Sequence, residues 1–114
     1  VRRAKEPAKG TLDLPGGIVD MYESAEDAAH REVKEETGLD IAGCRYLFSI
    51  PNLYPYSGFE VHTVDMFFEC LTESFDGAKA EDDAAEIIIL PANQLNSDDF
   101  GLQSIKKAVD RYIK

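Results

Sequence analysis

The sequence predicts a single domain of the α+β class, on three observations. A chain of 114 residues, of which 44% are hydrophobic, can build one core but not two. Residues 25–37 lie between helix-capping signals, and residues 102–113 carry apolar side chains at helical spacing. Residues 44–50 and 61–71 carry the apolar and alternating patterns typical of strands. We therefore expect residues 1–114 to fold as one domain of mixed helices and strands.

The first residues predict an extended segment that ends in a tight turn. VRRAK, residues 1–5, looks like the end of a strand, so we expect an N-terminal strand or an upstream domain before Val1. In GTLDLPGG, residues 10–17, Pro15 fixes its own φ, and the two glycines that follow permit backbone angles closed to other residues. The turn therefore lies directly ahead of the first helix.

Capping residues give the first helix its bounds. Ser24 is a favourable N-cap, and Asp27 takes the third helical position, a variant of the capping box. Gly38 fits the left-handed residue that follows many helices. The predicted helix is therefore Ala25–Thr37. The last helix is predicted from apolar residues three and four apart, which are Leu102, Ile105, Val109 and Ile113.

Strands and a loop are predicted between these helices. In the strand at 61–71, one face would be apolar and would carry His62, Val64, Met66, Phe68 and Cys70. PNLYPYSG, residues 51–58, is rich in Pro and Gly and is predicted to be a loop. EIIIL, residues 86–90, is predicted to be a buried strand closed by Pro91.

Composition excludes several classes of function. The net charge of −10, from 22 acidic and 12 basic residues, repels nucleic-acid polymers and anionic membranes. A small anionic substrate fits if metal ions reverse the local charge. The sequence contains neither a membrane-spanning apolar run nor a signal-peptide pattern, so we expect a cytoplasmic protein. Cys44 and Cys70 are expected to be reduced core thiols, with a disulfide between them as the alternative.

Three carboxylates converge on one stripe of the first helix. Glu32 and Glu36 lie one turn apart, and Glu35 lies three residues after Glu32. Like charges at these spacings repel each other, and a divalent cation would convert that repulsion into binding. Oxygen ligands suit Mg²⁺ or Mn²⁺. The alternative is a solvated helix face on which Arg31 pairs with Glu35.

The residues around these carboxylates follow the pattern G-x5-E-x7-R-E-U-x-E-E-x-G-U, in which U is aliphatic. The matching residues are Gly17, Glu23, Arg31, Glu32, Val33, Glu35, Glu36, Gly38 and Leu39. This pattern is the signature of the Nudix hydrolases, and residues 17–39 resemble it without a departure. The resemblance implies an α/β/α sandwich around a mixed sheet. It also implies hydrolysis of a nucleoside diphosphate linked to another moiety, by attack of water on the pyrophosphate.

The resemblance further implies roles for individual residues. The metal ligands that it implies for Mg²⁺ or Mn²⁺ are the backbone carbonyl of Gly17 and the carboxylates of Glu32, Glu35 and Glu36. Arg31 and Glu23 are similar to the family's orienting pair, which positions the carboxylates.

Two residues are candidates for the general base. One is Glu35, and the other is Glu86, at a position where several relatives carry an additional metal-binding or catalytic glutamate. Glu81, Asp82 and Asp83 could substitute, and the alternative for these three is a solvated acidic loop.

The segment YLFSIPNLYPYSG, residues 46–58, bears on the substrate. It resembles in part the S-Q-P-W-P-F-P-x-S segment of the NADH pyrophosphatases, a Nudix subgroup, although Ile50 and Asn52 replace its glutamine and tryptophan. We expect Ser49, Tyr54 and Tyr56 to bind the substrate, with the tyrosines stacking on a nucleobase. The alternative is a rigid connector, and the zinc ribbon of that subgroup is not part of this sequence.

Several functions stay open at this point. The favoured one is a metal-dependent diphosphohydrolase acting on NADH or a related dinucleotide, ADP-ribose, a nucleotide sugar or a damaged nucleoside triphosphate. The others are a nucleotide-binding sensor domain and an acidic protein-interaction module. Many relatives form homodimers, which leaves a homodimer open here. His30 is assigned no catalytic role, and His62 is expected to be a core histidine.

Overall fold

The computed structural model describes residues 1–81 and 84–114, with Tyr56 described by its backbone alone. The helices and strands, in chain order, are β1 (Arg2–Arg3), α1 (Ala25–Thr37), β2 (Gly43–Tyr56), β3 (Phe59–Leu71), β4 (Ala84–Glu86) and α2 (Gln103–Ile113). Two short 3₁₀ turns, Ala92–Gln94 and Ser97–Asp99, connect β4 to α2. The α+β class is therefore confirmed. No described helix is both long and apolar enough to cross a bilayer.

The largest feature is a hairpin of the antiparallel strands β2 and β3. Its register runs from Gly43 opposite Leu71 to Tyr56 opposite Phe59. The turn consists of Ser57 at φ 50° and Gly58 at φ 82°, and two such residues suit the tight turns that join twisted strands. The register shifts at one bulge between positions 46 and 48.

The hairpin corrects the prediction of a loop at residues 51–58. Residues 51–56 belong to β2, and the turn itself takes two residues only. Pro51 and Pro55 are tolerated because each strand of a two-stranded hairpin has one open edge, at which a missing N–H breaks no ladder bond. The two prolines are four residues apart, so both fit positions that face this edge.

The predicted apolar face of β3 is wrong in its outer half. His62, Val64 and Met66 are exposed, whereas Thr63 and Asp65 on the opposite face are partly buried. These polar groups bond one another, since the Thr63 hydroxyl donates to Asp65 at 2.8 Å. Phe68 and Cys70, nearer the domain core, are partly buried as predicted. The expectation of a core histidine at position 62 is wrong for the same reason.

A second, shorter ladder joins β1 to β4 in antiparallel register, with Arg2 opposite Glu86. The predicted strand at 86–90 is wrong, because the observed strand ends at Glu86, and Ile89 and Leu90 are exposed. Strand β4 pairs with β1 through Arg2 opposite Glu86 and Arg3 opposite Ala84. Leu12 and Phe100 form an isolated parallel bridge, whereas both ladders are antiparallel.

Both predicted helices are confirmed. Ser24 caps α1 by accepting the Asp27 N–H at 3.0 Å, and Gly38 ends it in the left-handed conformation at φ 73°. Helix α2 packs against the hairpin, and its Arg111 guanidinium lies 4.6 Å from the centre of the Phe48 ring. The buried apolar residues are Ala28, Ile50, Ala84, Phe100, Ala108 and Val109.

Cys44 and Cys70 lie directly opposite each other in the hairpin, and both are free thiols of intermediate exposure. Burial raises the pKa of the Cys70 thiol, and the neighbouring Cys44 raises it further. The structure therefore agrees with the prediction of reduced thiols.

We expect Cys70 to react with a disulfide reagent roughly tenfold more slowly in the folded protein than in urea, because the thiolate is the reacting form. The measurement is the time course of reagent release near pH 8, with Cys70→Ser assigning the slow phase. Failure to detect free thiols in urea without reductant would instead establish the disulfide.

Candidate functional site

The site is built on the turn before α1 and on one face of that helix. Its centre is Arg31, whose side chain is 26% exposed. The Arg31 guanidinium grips Glu23 in a fork, with Nε donating to Oε2 at 2.8 Å and Nη2 to Oε1 at 2.9 Å. This pairing, together with the backbone N–H of Asp20, lowers the pKa of Glu23 to about 2. The charged pair thus fixes the turn against the helix.

The same guanidinium reaches the helix carboxylates. Its Nη1 donates to Glu32 Oε1 at 2.7 Å and to Glu35 Oε2 at 3.2 Å. Its Nη2 donates to the Ile18 carbonyl at 3.1 Å, which anchors the loop ahead of the helix. One positive group therefore orients the acidic side chains of the site.

Gly17 lies against the Glu32 carboxylate. A Cβ atom placed on Gly17 would fall 2.5 Å from Glu32 Oε1 and 2.6 Å from its Cδ, closer than real Cβ contacts come. A side chain at position 17 would therefore displace Glu32. The contact explains why a residue without a side chain suits position 17, where a larger residue would push the end of the Glu32 side chain aside.

Glu36 is a partly buried carboxylate at the end of α1. Its Oε2 accepts the Gly16 N–H at 2.9 Å, so the glycine turn and the last turn of α1 are bonded directly. Burial raises the pKa of Glu36 to about 7, and the nearby charges of Glu32 and Asp13 add to that rise. A carboxylate in this environment gains from a neighbouring cation.

Asp13 is a member of the acidic group that the sequence analysis missed. It is partly buried, and its Oδ2 accepts from Arg3 Nη1 at 2.6 Å. Burial raises the pKa of Asp13 despite this bond. Its place in GTLDLPGG, directly ahead of the turn, was the available signal.

The predicted metal ligands are brought together in part. Glu32 touches Gly17, and Glu36 interacts with Glu32 through its charge. Within residues 1–81 and 84–114, no group of three or more acidic, His or Cys side chains is arranged around a common centre for a metal ion. In this arrangement Arg31 bonds Glu32 and Glu35, while Glu36 bonds the Gly16 N–H. The donors themselves, carboxylate and carbonyl oxygens, suit Mg²⁺ or Mn²⁺.

Glu86 stands at the end of β4 and pairs with Arg2, whose Nε donates to its Oε1 at 2.9 Å. Its side chain is 56% exposed, and its described bonds do not involve the carboxylates of α1. The Glu81 N–H donates to the Glu36 carbonyl at 2.9 Å, which brings the acidic loop to the end of α1. Asp82 and Asp83 lie outside the described residues.

The predicted substrate residues are not gathered into one surface. Ser49 and Tyr54 are an odd number of positions apart in β2, so their side chains face opposite sides of the hairpin. Tyr54 is exposed and pairs across the strand with Val61. The Tyr56 side chain lies outside the described part of the structure. His30 lies in α1 and is partly exposed.

Comparisons with known proteins identify the family to which a chain with this turn and helix belongs. The family model described as NUDIX domain matches residues 1–112. An ADP-ribose pyrophosphatase from Methanocaldococcus jannaschii is 33% identical over 115 residues, which cover 98% of this chain and 64% of that protein. A NAD-capped RNA hydrolase NudC from Pasteurella multocida is 44% identical over 48 residues, 42% of this chain and 18% of that protein.

A solved structure supports the fold. The NUDIX hydrolase from Nitrosomonas europaea has a TM-score of 0.69 at 18% identity, covering 98% of this chain and 60% of that one. The Nudix fold expected from the sequence is thereby confirmed. The chain spans about two thirds or less of the length of these proteins.

Proposed function

The chain belongs to the NUDIX domain family, and from that premise we propose that it is a Mg²⁺- or Mn²⁺-dependent hydrolase of a nucleoside diphosphate linked to another group. One observation carries the proposal. Arg31 joins Glu23 in the turn to Glu32 and Glu35 in the helix, so the complete family pattern is also a connected structure. A nucleotide-binding domain without activity would not require every charged position.

The proposed metal ligands are the Gly17 carbonyl and the carboxylates of Glu32, Glu35, Glu36 and Glu86. When bound, the cation supplies neutralisation of the pyrophosphate charge and acidifies a coordinated water. Arg31 and Glu23 position the carboxylates through the bidentate pair. Glu35, at 45% exposure, can turn toward solvent and is the proposed base, with Glu86 as the alternative.

The proposed substrates are ADP-ribose and related dinucleotides, including NADH. The Methanocaldococcus jannaschii relative is an ADP-ribose pyrophosphatase, which supports ADP-ribose. The shorter match to a NAD-capped RNA hydrolase supports a substrate that carries an NAD group, and the partial resemblance of residues 46–58 to the NADH pyrophosphatase segment supports a dinucleotide. Of the residues that the sequence assigns to the substrate, Tyr54 and Tyr56 are proposed to contact it away from the phosphates, whereas Ser49 faces the side of the hairpin opposite Tyr54 and would contact it only from another direction. The net charge of −10 favours a small, metal-bound substrate over a nucleic-acid polymer or an anionic membrane. A cytoplasmic location and a homodimer complete the proposal.

We expect the protein to hydrolyse ADP-ribose in Mg²⁺ or Mn²⁺ and to be inactive in chelator. The measurement is product release from ADP-ribose, NADH, a nucleotide sugar and an oxidised nucleoside triphosphate, each with and without metal. Preference for another compound on this panel would change the substrate. Binding of nucleotides without turnover of any of them would instead establish a sensor domain.

A further inference from the structure

The loop at residues 18–22, IVDMY, exposes four large apolar side chains ahead of α1. Tyr22 is fully exposed, Met21 is 85% exposed and Ile18 is 68% exposed, and Val19 is exposed as well. Side chains in solvent add no burial energy to folding. Packing in the core therefore does not explain why four large apolar side chains lie together on one short loop.

Tyr22 is also held in a backbone conformation that its side chain disfavours. Its φ is 64°, in the left-handed region where the Cβ atom crowds the backbone and glycine fits best. No packing compensates, because the ring is fully exposed. Backbone strain that no packing contact offsets is typical of functional positions. The Tyr22 ring is therefore a candidate for binding a ligand.

The loop is fixed to the carboxylate site at both ends. Arg31 Nη2 donates to the Ile18 carbonyl at 3.1 Å. The Asp20 N–H donates to Glu23 Oε1 at 3.0 Å, and the Glu23 N–H returns a bond to the Asp20 carbonyl at 3.1 Å. Because Arg31 also bonds Glu32, the apolar loop has a set position beside the acidic residues.

We propose that Met21 and Tyr22 form a stacking platform for the base of the nucleotide substrate, which deepens the proposed function and rests on it for the substrate class. An aromatic ring stacks on any base through the π-face, and a methionine sulfur packs well against ring edges. Arg31, the cation next to the loop, is already paired with Asp20 at 3.4 Å and with Glu23 at 2.8 Å, so phosphates are drawn to the bound metal ion and the uncharged base is left to the loop.

The test is calorimetric binding of AMP in the presence of Mg²⁺, compared with ribose 5-phosphate, which lacks the base. Tyr22→Ala removes the ring, while Tyr22→Phe keeps it. We expect Tyr22→Ala to weaken AMP binding about tenfold and Tyr22→Phe to retain it. Ribose 5-phosphate binding should not distinguish the three proteins. Phe75→Ala, which removes an exposed aromatic elsewhere, is the matched control.

Thermal unfolding supplies a second readout, because Tyr22→Gly relieves the strained φ and should raise the midpoint. Equal AMP binding by the wild type and Tyr22→Ala would overturn the proposal, as would no AMP binding by the wild type. The proposal would also be overturned if the wild type were a dimer that the Tyr22→Ala substitution dissociates without changing the affinity for AMP. The loop would then be a contact between two copies of the chain. Base-dependent AMP binding without any hydrolysis would retain the platform and reject the proposed enzyme.

Discussion

Replacing Glu36 with glutamine is expected to reduce metal-dependent hydrolysis on the order of 10³-fold, since it removes a proposed metal ligand from a site whose chemistry depends on the cation. The amide still accepts the Gly16 N–H, so the turn at the start of the site keeps its bond to α1. The loss should therefore come from the missing charge rather than from a disrupted turn.

The same substitution is expected to stabilise the metal-free protein above neutral pH. Burial raises the pKa of Glu36 to about 7, whereas in the unfolded chain it is near 4.5. As the pH rises from 4.5 to 7, the unfolded chain releases this proton first, and the folded state loses stability. A pKa shift of this size corresponds to about 3 kcal/mol in the free energy of unfolding. Because Glu36 is partly exposed, we expect Glu36→Gln to raise the free energy of unfolding above neutral pH by about 2 kcal/mol.

The measurement is the free energy of unfolding in urea, with chelator, near pH 4 and near pH 8. The free energies of unfolding of Glu36→Gln and the wild type should be equal near pH 4, and near pH 8 that of Glu36→Gln should be higher. Glu60→Gln, in the exposed part of the hairpin, makes the same change of net charge and is the control. Added Mg²⁺ should raise the unfolding midpoint of the wild type more than that of Glu36→Gln. An equal rise in both proteins would remove Glu36 from the proposed ligands.

The placement of the carboxylates on α1 was predictable because its signals are local. Ser24 and Gly38 bound α1 through backbone capping, and the spacing of Glu32, Glu35 and Glu36 on a helix fixes which face they share. The contact of Gly17 with Glu32 was not predicted, because it depends on how the turn packs against the helix. Asp13 was missed because its proximity to Glu36 depends on how the N-terminal segment packs.

The sheet was less predictable because strand length depends on partners distant in sequence. The run of isoleucines after Glu86 predicts a strand, but the observed strand ends at Glu86, and Ile89 and Leu90 are exposed. In the hairpin, the prolines favour a loop locally, while the long antiparallel register with β3 overrides them. Whether a face of β3 is exposed likewise depends on which elements cover the hairpin. The residue pattern of one strand does not reveal this.

Arg31→Lys is expected to lower activity about 100-fold and to lower the unfolding midpoint, although the positive charge is kept. Lysine has one nitrogen, so it cannot bond both oxygens of Glu23 while also reaching Glu32 and the Ile18 carbonyl. The carboxylates would lose their fixed orientation, and the loop ahead of α1 would lose an anchor. The substitution therefore separates the geometry of the guanidinium from its charge.

The pH dependence distinguishes this explanation from a general loss of stability. The lowered pKa of Glu23, about 2 against 4.5 in the unfolded chain, makes the Arg31 pair stabilising above 4.5, and that stabilisation is lost as the pH falls toward 2. The difference in urea midpoint between the wild type and Arg31→Lys should accordingly shrink between about pH 5 and pH 2. Arg45→Lys, at an exposed pair with Glu69, provides the matched control and should change neither activity nor midpoint appreciably. A midpoint difference independent of pH would mean that Arg31 stabilises the fold by packing, and not through its pair with Glu23.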